Sequence, residues 1–183
     1  AWSSYKPKKG KDKRGITGAD EKILKNISDK INVVPSEISI HKTINKILQT
    51  RKKSVDDGLN IDWSTAESLA FGSLLDEGFP VRFVGQDSGR GTFSQRHSVL
   101  RDQTNNSRYI PLNNISKNQK KFEIVDSFLS ELAVLGFEYG YSLVEPNTLT
   151  LWEAQFGDFA NGAQVIIDQF IASGERKWQR ASG

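Results

Sequence analysis

The chain has 183 residues, of which 37% are hydrophobic and 26% are charged, a composition typical of a globular protein and not of a disordered one. No apolar run approaches the roughly 18 residues of a membrane span, and the basic N-terminus is not followed by the apolar segment of a secretory signal. The absence of cysteine excludes disulfide bonds and cysteine-based sites, and two histidines exclude a histidine-rich metal cage. Because the sequence begins at Ala1 without an initiator methionine, we expect it to be part of a longer polypeptide.

The net charge of +3 is unevenly distributed along the chain. Residues 1–14 carry six basic side chains and one acidic one, whereas the rest of the chain carries 19 basic and 21 acidic ones. Since a nucleic-acid-binding protein usually carries its basic excess on the folded domain, we interpret residues 1–16 as a basic linker. An arm that binds nucleic acid or another anionic surface stays open as an alternative.

Residues 17–57 are predicted to form a short helical appendage. Apolar residues at helical spacing indicate one helix over about Asp20–Ile31 and a second over about Ser36–Lys53. His41 lies in this appendage, where a structural role is expected for it.

From residue 58 onward the pattern alternates between helices and strands. The capping-box sequence from Ser64 to Glu67 predicts a helix that ends at Gly78. The segments VRFVG and TLTLWEA predict two strands, and the long loop after VRFVG contains a possible third. In chain order, the predicted elements are a strand at 81–85, a possible strand at 109–112, an apolar helix at 126–145, a strand at 148–154 and a second apolar helix at 158–173. This order predicts an α/β fold for residues 58–183, with a mostly parallel sheet and helices on both faces.

In open parallel sheets, ligands bind beyond the carboxyl ends of the strands. Here those ends lead into two segments rich in glycine, amide, acidic and aromatic side chains, GQDSGRGTFSQRH at 85–97 and EAQFGDF at 153–159. Glycine allows a ligand to approach the backbone closely. The sequence therefore predicts a ligand site at this edge, with an irregular connection as the alternative.

The predicted helix at 126–145 has apolar side chains around nearly its whole circumference, which predicts that it is buried; they are Phe128, Leu129, Leu132, Ala133, Val134, Leu135 and Phe137. Glu131 and Glu138 lie two turns apart on about the same face and are predicted to be buried with it. Because desolvating a carboxylate costs several kcal/mol, Glu131 either pairs with a basic residue of the chain or is held for a ligand.

The sequence resembles the first, decarboxylating components of 2-oxoglutarate dehydrogenase complexes. The segments that carry this resemblance are VRFVGQDSGRGTFSQRHSVL, DSFLSELAVLGFEYG and, further along the chain, LWEAQFGDFANGAQVIIDQF. The resemblance is dense from Ile61 to the C-terminus and weaker over residues 19–53. It implies the transketolase-like pyrimidine-binding domain of an enzyme that depends on thiamine diphosphate.

The resemblance also implies roles for individual residues. Glu131 would hydrogen-bond a nitrogen of the aminopyrimidine ring of the cofactor. Gln155 would contact the same ring by a hydrogen bond, and Phe159 and Phe83 by packing, although the family usually has Leu where Phe83 stands. For Glu138 we expect a structural hydrogen bond.

The segment after GTFS commonly reads HRH in this family, and here it reads Gln95-Arg96-His97. His97 would face the substrate as a proton donor or as a partner for its carboxylates. Gln95 replaces a histidine and keeps hydrogen-bonding capacity without charge, so the way in which the distal carboxylate is held is expected to differ.

The resemblance implies further components that this sequence does not contain. The sequence lacks the Gly-Asp-Gly motif that binds the Mg²⁺ of the cofactor in this family. The Mg²⁺ ligands are therefore expected in another domain, and the chain alone is expected to be inactive. Implied partners are a second copy in a homodimer, the dihydrolipoyl succinyltransferase and dihydrolipoyl dehydrogenase components, and a small 2-oxo acid, either 2-oxoglutarate or 2-oxoadipate. Neither nucleic acid nor a membrane is expected as a partner. The implied location is the cytoplasm of a bacterium or the mitochondrial matrix of a eukaryote.

Overall fold

A computed structural model describes Trp2, residues 15–179 and Ala181. The predicted basic linker at 1–16 therefore lies almost entirely outside the described residues. Within them, no helix combines the length and apolar character that a membrane crossing requires.

The two helices of the appendage differ in how well the sequence predicted them. Helix α1 spans Glu21–Ile31 and begins at Asp20, whose carboxylate accepts a hydrogen bond from the Lys22 amide at 2.7 Å, as an N-cap should. Helix α2 spans Lys42–Asp57 and begins six residues later than predicted. The preceding segment is not helical, and the Ser39 carbonyl accepts a hydrogen bond from the Gln103 amide at 2.7 Å.

Helix α3 spans Trp63–Glu77, and its cap differs from the predicted one. Asp62 is the N-cap and accepts from the Thr65 amide at 2.7 Å, so the predicted capping box of Ser64 and Glu67 is wrong. The Ser64 hydroxyl instead donates to the Gln95 carbonyl. The predicted end at Gly78 is confirmed, with a left-handed φ of 99°.

The main sheet has three parallel strands in the order β4-β1-β5; they are β1 at Val81–Gly85, β4 at Phe122–Asp126 and β5 at Leu149–Glu153. The fold class predicted from the sequence is confirmed. Strand β4 was not predicted; it ends at Asp126, the residue at which the helix was expected to begin, and four loop residues follow it. Helix α4 therefore spans Glu131–Val144 and begins five residues later than predicted.

Successive side chains of β1 point to opposite faces of the sheet, and each face is covered by a helix. Phe83 lies against Phe71 of α3 with ring centroids 6.0 Å apart, whereas Arg82 binds Glu138 of α4. The core also includes Phe122, which stacks on Phe71 at 5.7 Å. The helices on both faces thus follow directly from the alternation along β1.

The appendage and the α/β domain share one hydrophobic core. Ile27 and Ile31 of α1 are buried in the same cluster as Leu75 of α3 and the strand residues. Gly72 permits this contact, because a Cβ at that position would lie 2.5 Å from Cγ2 of Ile27. The predicted division of the chain near residue 58 stays a prediction, and the core extends across it.

The remaining elements are short. Strands β2 and β3 form an antiparallel pair at Leu100–Arg101 and Arg108–Tyr109, and a 3₁₀-helix follows at Pro111–Asn113. The predicted helix at 158–173 is instead a sequence of helical types, namely a 3₁₀-helix at Gly157–Ala163, a helical turn α5 at Gln164–Ile166, a π-helix at Ile167–Ile171 and helix α6 at Gly174–Trp178.

Candidate active site

The three parallel strands end level with one another, which brings their following loops to one edge of the sheet. Gly85 is in register with both Asp126 and Glu153, the last residues of β4 and β5. A side chain at Gly85 would collide with the Glu153 carbonyl, so glycine permits this close pairing. We call this the carboxyl edge; Ser130 and Gln155 lie in the loops that leave it.

Glu131 is the first residue of α4, beside the carboxyl edge. Ser130 caps the helix by accepting from the Ala133 amide at 3.4 Å. The Glu131 side chain is half-buried, and a Cβ on Gly162 would lie 3.5 Å from its Oε2 atom. Within residues 15–179 no hydrogen bond or ion pair engages the Glu131 carboxylate, so it has no basic partner there.

The prediction that Glu131 is enclosed in a helix buried on all sides is wrong for this chain. Helix α4 has one buried face, formed by Val134, Leu135, Glu138 and Ser142, and an exposed apolar face that includes Leu132 and Phe137. Because Asp126 ends a strand and the next four residues form a loop, Glu131 lies at the end of the helix and not within it.

Glu138 is the carboxylate of α4 that the fold itself uses. It is 3% exposed, and its two oxygens accept from Nε and Nη2 of Arg82 at 2.7 and 2.9 Å. Arg82 also donates to Glu123 at 2.7 Å and lies 5.0 Å from the ring of Tyr141. The hydrogen bond to Glu138 is the main cause that raises the pKa of Arg82. The predicted structural role of Glu138 is confirmed.

Three phenylalanines form an exposed aromatic cluster in the loops of the carboxyl edge. Phe156 contacts Phe93 and Phe159 edge-to-face, with centroid distances of 5.8 and 5.7 Å. Phe159 belongs to the 3₁₀-helix that also contains Gly162, the neighbour of Glu131. The structure thus brings Phe159 and Glu131 to adjoining elements. Phe93 and Phe156 were not predicted, although both lie in the two segments expected to bind a ligand.

Gln155 lies two residues after the end of β5, is half-buried and immediately precedes Phe156 of the aromatic cluster. Within the described part of the chain its amide group makes no hydrogen bond. It is therefore able to bind a polar group that comes from outside the chain.

His97 is half-buried and has a left-handed backbone with a φ of 52°. Burial lowers the pKa of its imidazole, and the positive charge of Arg51 lowers the pKa further, while a hydrogen bond with Ser94 opposes both. Its Nε2 atom is buried and has no hydrogen-bond partner among the described residues. The imidazole is therefore mainly neutral near pH 7, with one nitrogen that remains to be satisfied.

Gln95 is used within its own loop. Its Oε1 atom accepts from the Phe93 amide at 2.9 Å, and its backbone carbonyl accepts from Arg51 and Ser64. Gly91 makes room for it, because a Cβ there would lie 2.5 Å from Oε1 of Gln95, and its φ of 81° also favours glycine. A contact between Gln95 and a substrate stays a prediction.

Phe83 is buried in the core, with Phe71 on one side and the guanidinium of Arg96 4.4 Å from its ring centroid. Its contact with a cofactor stays a prediction. No structural role was predicted for Arg96, yet it is buried and its ion pairs connect the loop to α3 and β5. It donates to Glu67 at 2.7 Å and to Glu153 at 2.6 and 2.9 Å.

The residues that the structure describes contain no group of three or more histidine, aspartate or glutamate side chains that could hold a metal ion. The candidate groups at the carboxyl edge are the carboxylate of Glu131, the amide of Gln155 and the exposed phenylalanine rings, whereas the imidazole of His97 lies in the loop after β1, beside Arg51. Such a set recognises a flat, nitrogen-containing ring by hydrogen bonds and ring packing.

Residues 60–183 match the family described as transketolase, pyrimidine binding domain. The chain belongs to this family. Its members are domains of enzymes that depend on thiamine diphosphate. The resemblance found in the sequence is therefore confirmed at the level of the family.

Several curated relatives match over the whole chain. Proteins described as "2-oxoglutarate dehydrogenase E1 component" from Brucella canis and Brucella abortus are 58% identical to it, and the one from Brucella ovis is 57% identical. In each case the match includes 100% of this chain and 18% of the relative. The chain thus spans less than a fifth of the length of these relatives.

Proposed function

We propose that this chain is the pyrimidine-binding part of the first, decarboxylating component of a 2-oxoglutarate dehydrogenase. The observation that carries the proposal is Glu131, a carboxylate beside the carboxyl edge with no partner among the described residues, in a chain that belongs to the pyrimidine-binding family. The 58% identity to relatives of that description supports the choice of reaction. When bound, thiamine diphosphate supplies an electron sink for the decarboxylation of a 2-oxo acid.

The residues at the carboxyl edge fit the aminopyrimidine ring of that cofactor. The Glu131 carboxylate would bind a ring nitrogen and hold a proton there. The ring of Phe159 offers a packing surface, and the Gln155 amide offers a donor and an acceptor for the polar substituents. Phe83 would affect the cofactor site indirectly, because it packs in the core against Arg96 of the loop.

His97 would contact the substrate and not the cofactor ring. Its buried Nε2 atom has no partner among the described residues, and its lowered pKa favours a neutral imidazole; with the proton on Nε2, this imidazole would donate one hydrogen bond to a carboxylate or ketone oxygen. Gln95 would contribute through its amide nitrogen, since its Oε1 atom is occupied by the Phe93 amide.

The reaction is tested on the longer polypeptide that contains this chain, supplied with thiamine diphosphate, Mg²⁺ and a lipoyl acceptor. We expect turnover of 2-oxoglutarate, with 2-oxoadipate processed more slowly. A higher kcat/KM for 2-oxoadipate would identify the protein as a 2-oxoadipate dehydrogenase instead. Turnover of neither acid would contradict the proposal. Mg²⁺ would be bound by residues of the polypeptide that lie outside this chain, so removal of the metal should abolish cofactor binding.

The exposed apolar face of α4 is the surface where we propose that a second copy binds. Leu132, Phe137 and Val144 lie on this face, and Phe137 is 61% exposed. Phe128 and Leu129 extend the apolar surface toward Glu131. Apolar surfaces of this kind mark interaction sites, and a symmetric dimer would cover both copies of it at once.

The dimer is tested with Phe137→Glu in the longer polypeptide, by sedimentation velocity. We expect dissociation to monomers, because the new carboxylate would have to be desolvated within an apolar interface. Leu59→Glu is the matched control, since Leu59 is 66% exposed and lies in the turn after α2. An unchanged dimer in the Phe137 variant would contradict this interface.

The proposed function places the chain in a multienzyme complex. The partners would be the succinyltransferase that carries the lipoyl group and the dihydrolipoyl dehydrogenase that reoxidises it. Co-sedimentation of the three full-length proteins tests this assembly. The compartment would be the cytoplasm in a bacterium or the mitochondrial matrix in a eukaryote.

A further inference from the structure

We propose that Arg51, in helix α2 of the N-terminal appendage, is a positioning residue that fixes the loop carrying His97 for its work at the active site. This inference rests on the proposed function for the meaning of "active site". Arg51 lies outside residues 60–183, the part of the chain that matches the pyrimidine-binding family. The appendage would thus contribute to a site that is formed otherwise by the α/β domain.

Arg51 is 7% exposed, and its guanidinium is directed at the backbone immediately before His97. Its Nη1 atom donates to the Arg96 carbonyl at 3.0 Å. Its Nη2 atom donates to the Gln95 carbonyl and to the Ser64 hydroxyl, the latter at 2.9 Å. Two consecutive carbonyls of the loop are therefore held by one side chain from another part of the chain.

The cost of burying this cation argues against a role in packing alone. Arg51 continues the apolar stripe of α2 between Leu48 and Val55, and all three side chains are buried. Burial lowers the pKa of Arg51, and Asp62 and Glu67 oppose this only through their charge, without an ion pair to it in the described residues. A methionine or leucine would fill the same space without desolvating a charge, so the polar contacts are what distinguish Arg51.

The contact controls the peptide plane that joins Arg96 to His97. Arg51 holds the carbonyl of that plane, and the His97 amide at its other end donates to the Arg90 carbonyl at 3.0 Å. His97 has a φ of 52°, which a residue with a side chain adopts only at a cost. Holding the preceding plane at both ends stabilises this conformation and sets the direction of the imidazole.

Charge adds a second effect on the same residue. The positive charges of Arg51 and Arg90 lower the pKa of His97, after burial, which is the largest cause. Asp87 and the hydrogen bond with Ser94 act in the opposite direction. Removal of Arg51 should therefore both loosen the loop and raise the pKa of the imidazole.

The test compares Arg51→Met with Lys52→Met in the longer polypeptide loaded with thiamine diphosphate. Lys52 is the next residue of α2, but its ammonium pairs with Asp29 and Asp56 near the surface and does not contact the loop. Hydrogen exchange of the backbone amides of residues 90–98 measures how firmly the loop is held. KM for the 2-oxo acid and the pH profile of kcat/KM measure the effect on the active site. Arg51→Lys and Ser64→Ala are milder variants in case Arg51→Met lowers stability.

For Arg51→Met we expect faster exchange in residues 90–98 and a KM raised on the order of 10- to 100-fold, as for a misplaced contact. The affinity for thiamine diphosphate should stay the same, and the pKa of the acidic limb should move upward. Ser64→Ala should change each quantity in the same direction by less, and Lys52→Met should change none of them. Equal exchange and equal pH profiles in Arg51→Met and Lys52→Met would overturn the proposal.

The two proposals can fail separately. If the polypeptide turns over no 2-oxo acid, the proposed function fails, and exchange still decides whether Arg51 holds the loop. If the loop loosens while KM and the pH profile are unchanged, the positioning role at the active site is overturned.

Discussion

Helix α4 carries two glutamates, one in its first turn and one in its middle, and their environments are opposite. Glu138, in the middle, is buried and bound by two nitrogens of Arg82. Glu131, at the start, is half-buried and has no partner in the described part of the chain. The fold thus pairs the carboxylate that it encloses and leaves the other one next to the 3₁₀-helix that carries Phe159.

Position along the sheet explains the difference. The middle of α4 covers the face of the sheet to which the alternation of β1 directs Arg82, so the guanidinium reaches Glu138. The first turn lies beside the carboxyl edge, where the loops after the strands meet and ligands of parallel sheets bind. The two glutamates should therefore respond differently to the same kind of substitution.

The largest effect is expected for Glu131→Gln in the longer polypeptide. Losing a group that holds a proton at the cofactor ring should lower turnover about 10²- to 10⁴-fold. The free energy of unfolding should change by less than about 0.5 kcal/mol, as for a substitution that breaks no native contact. Steady-state kinetics and chemical denaturation measure the two quantities. Wild-type turnover would remove Glu131 from the reaction.

Arg82→Met should show the reverse pattern, with a large loss of stability. It leaves the Glu138 carboxylate buried without its partner, which should lower the free energy of unfolding by about 3–5 kcal/mol. Glu123→Gln is the control, because it weakens only the more exposed ion pair of Arg82 and should cost less than about 1 kcal/mol. Similar losses in both variants would show that Glu138 does not depend on Arg82.

Ser130→Ala sharpens the comparison at the start of the helix. The Ser130 hydroxyl accepts from the Ala133 amide at a long 3.4 Å, so its loss should lower the free energy of unfolding by about 0.5–1 kcal/mol. Since Glu131 is the next residue, cofactor affinity should fall as well. A change in stability without any change in affinity would mean that the cap does not position Glu131.

The smallest effect concerns the pH dependence of stability at His97. Burial lowers the pKa of His97 in the folded chain below its usual 6.5, so the unfolded chain binds more protons between the folded pKa and 6.5. Stability should therefore fall as the pH falls through this window and should not depend on His97 above it. In His97→Gln this part of the slope should disappear, as measured by denaturation at a series of pH values. An identical slope in both proteins would contradict the shift.

The sequence predicted the elements that local patterns determine and missed those that depend on distant contacts. The repeating apolar residues of α1 and the run VRFVG of β1 identified both elements nearly to the residue. Strand β4, FEIVD, was missed because it lies between a polar loop and an apolar segment, and its pairing with β1 joins residues about 40 positions apart. Because residues 127–130 form a loop after β4, α4 begins five residues later than predicted and Glu131 stands at its end.

Contacts between distant residues also determine the roles of individual side chains. Asp62 and Ser64 are both residue types that cap helices, but Asp62 accepts from the Thr65 amide and α3 begins at Trp63, so Ser64 lies inside the helix and its hydroxyl binds Arg51 and the Gln95 carbonyl. Arg51 could have been found from the sequence, since a cation three residues after Leu48 and four before Val55 interrupts an apolar stripe. Phe83 was assigned from resemblance, and the structure places it in the core.

We propose that the carboxylate of Glu131, which has no partner among the described residues, is held for the pyrimidine ring of thiamine diphosphate. The most direct measurement is the rate of hydrogen–deuterium exchange at the reactive carbon of the cofactor bound to the longer polypeptide, compared between wild type and Glu131→Gln. We expect the variant still to bind the cofactor and the exchange to slow by at least about 100-fold. Equal exchange rates in the two proteins would contradict it.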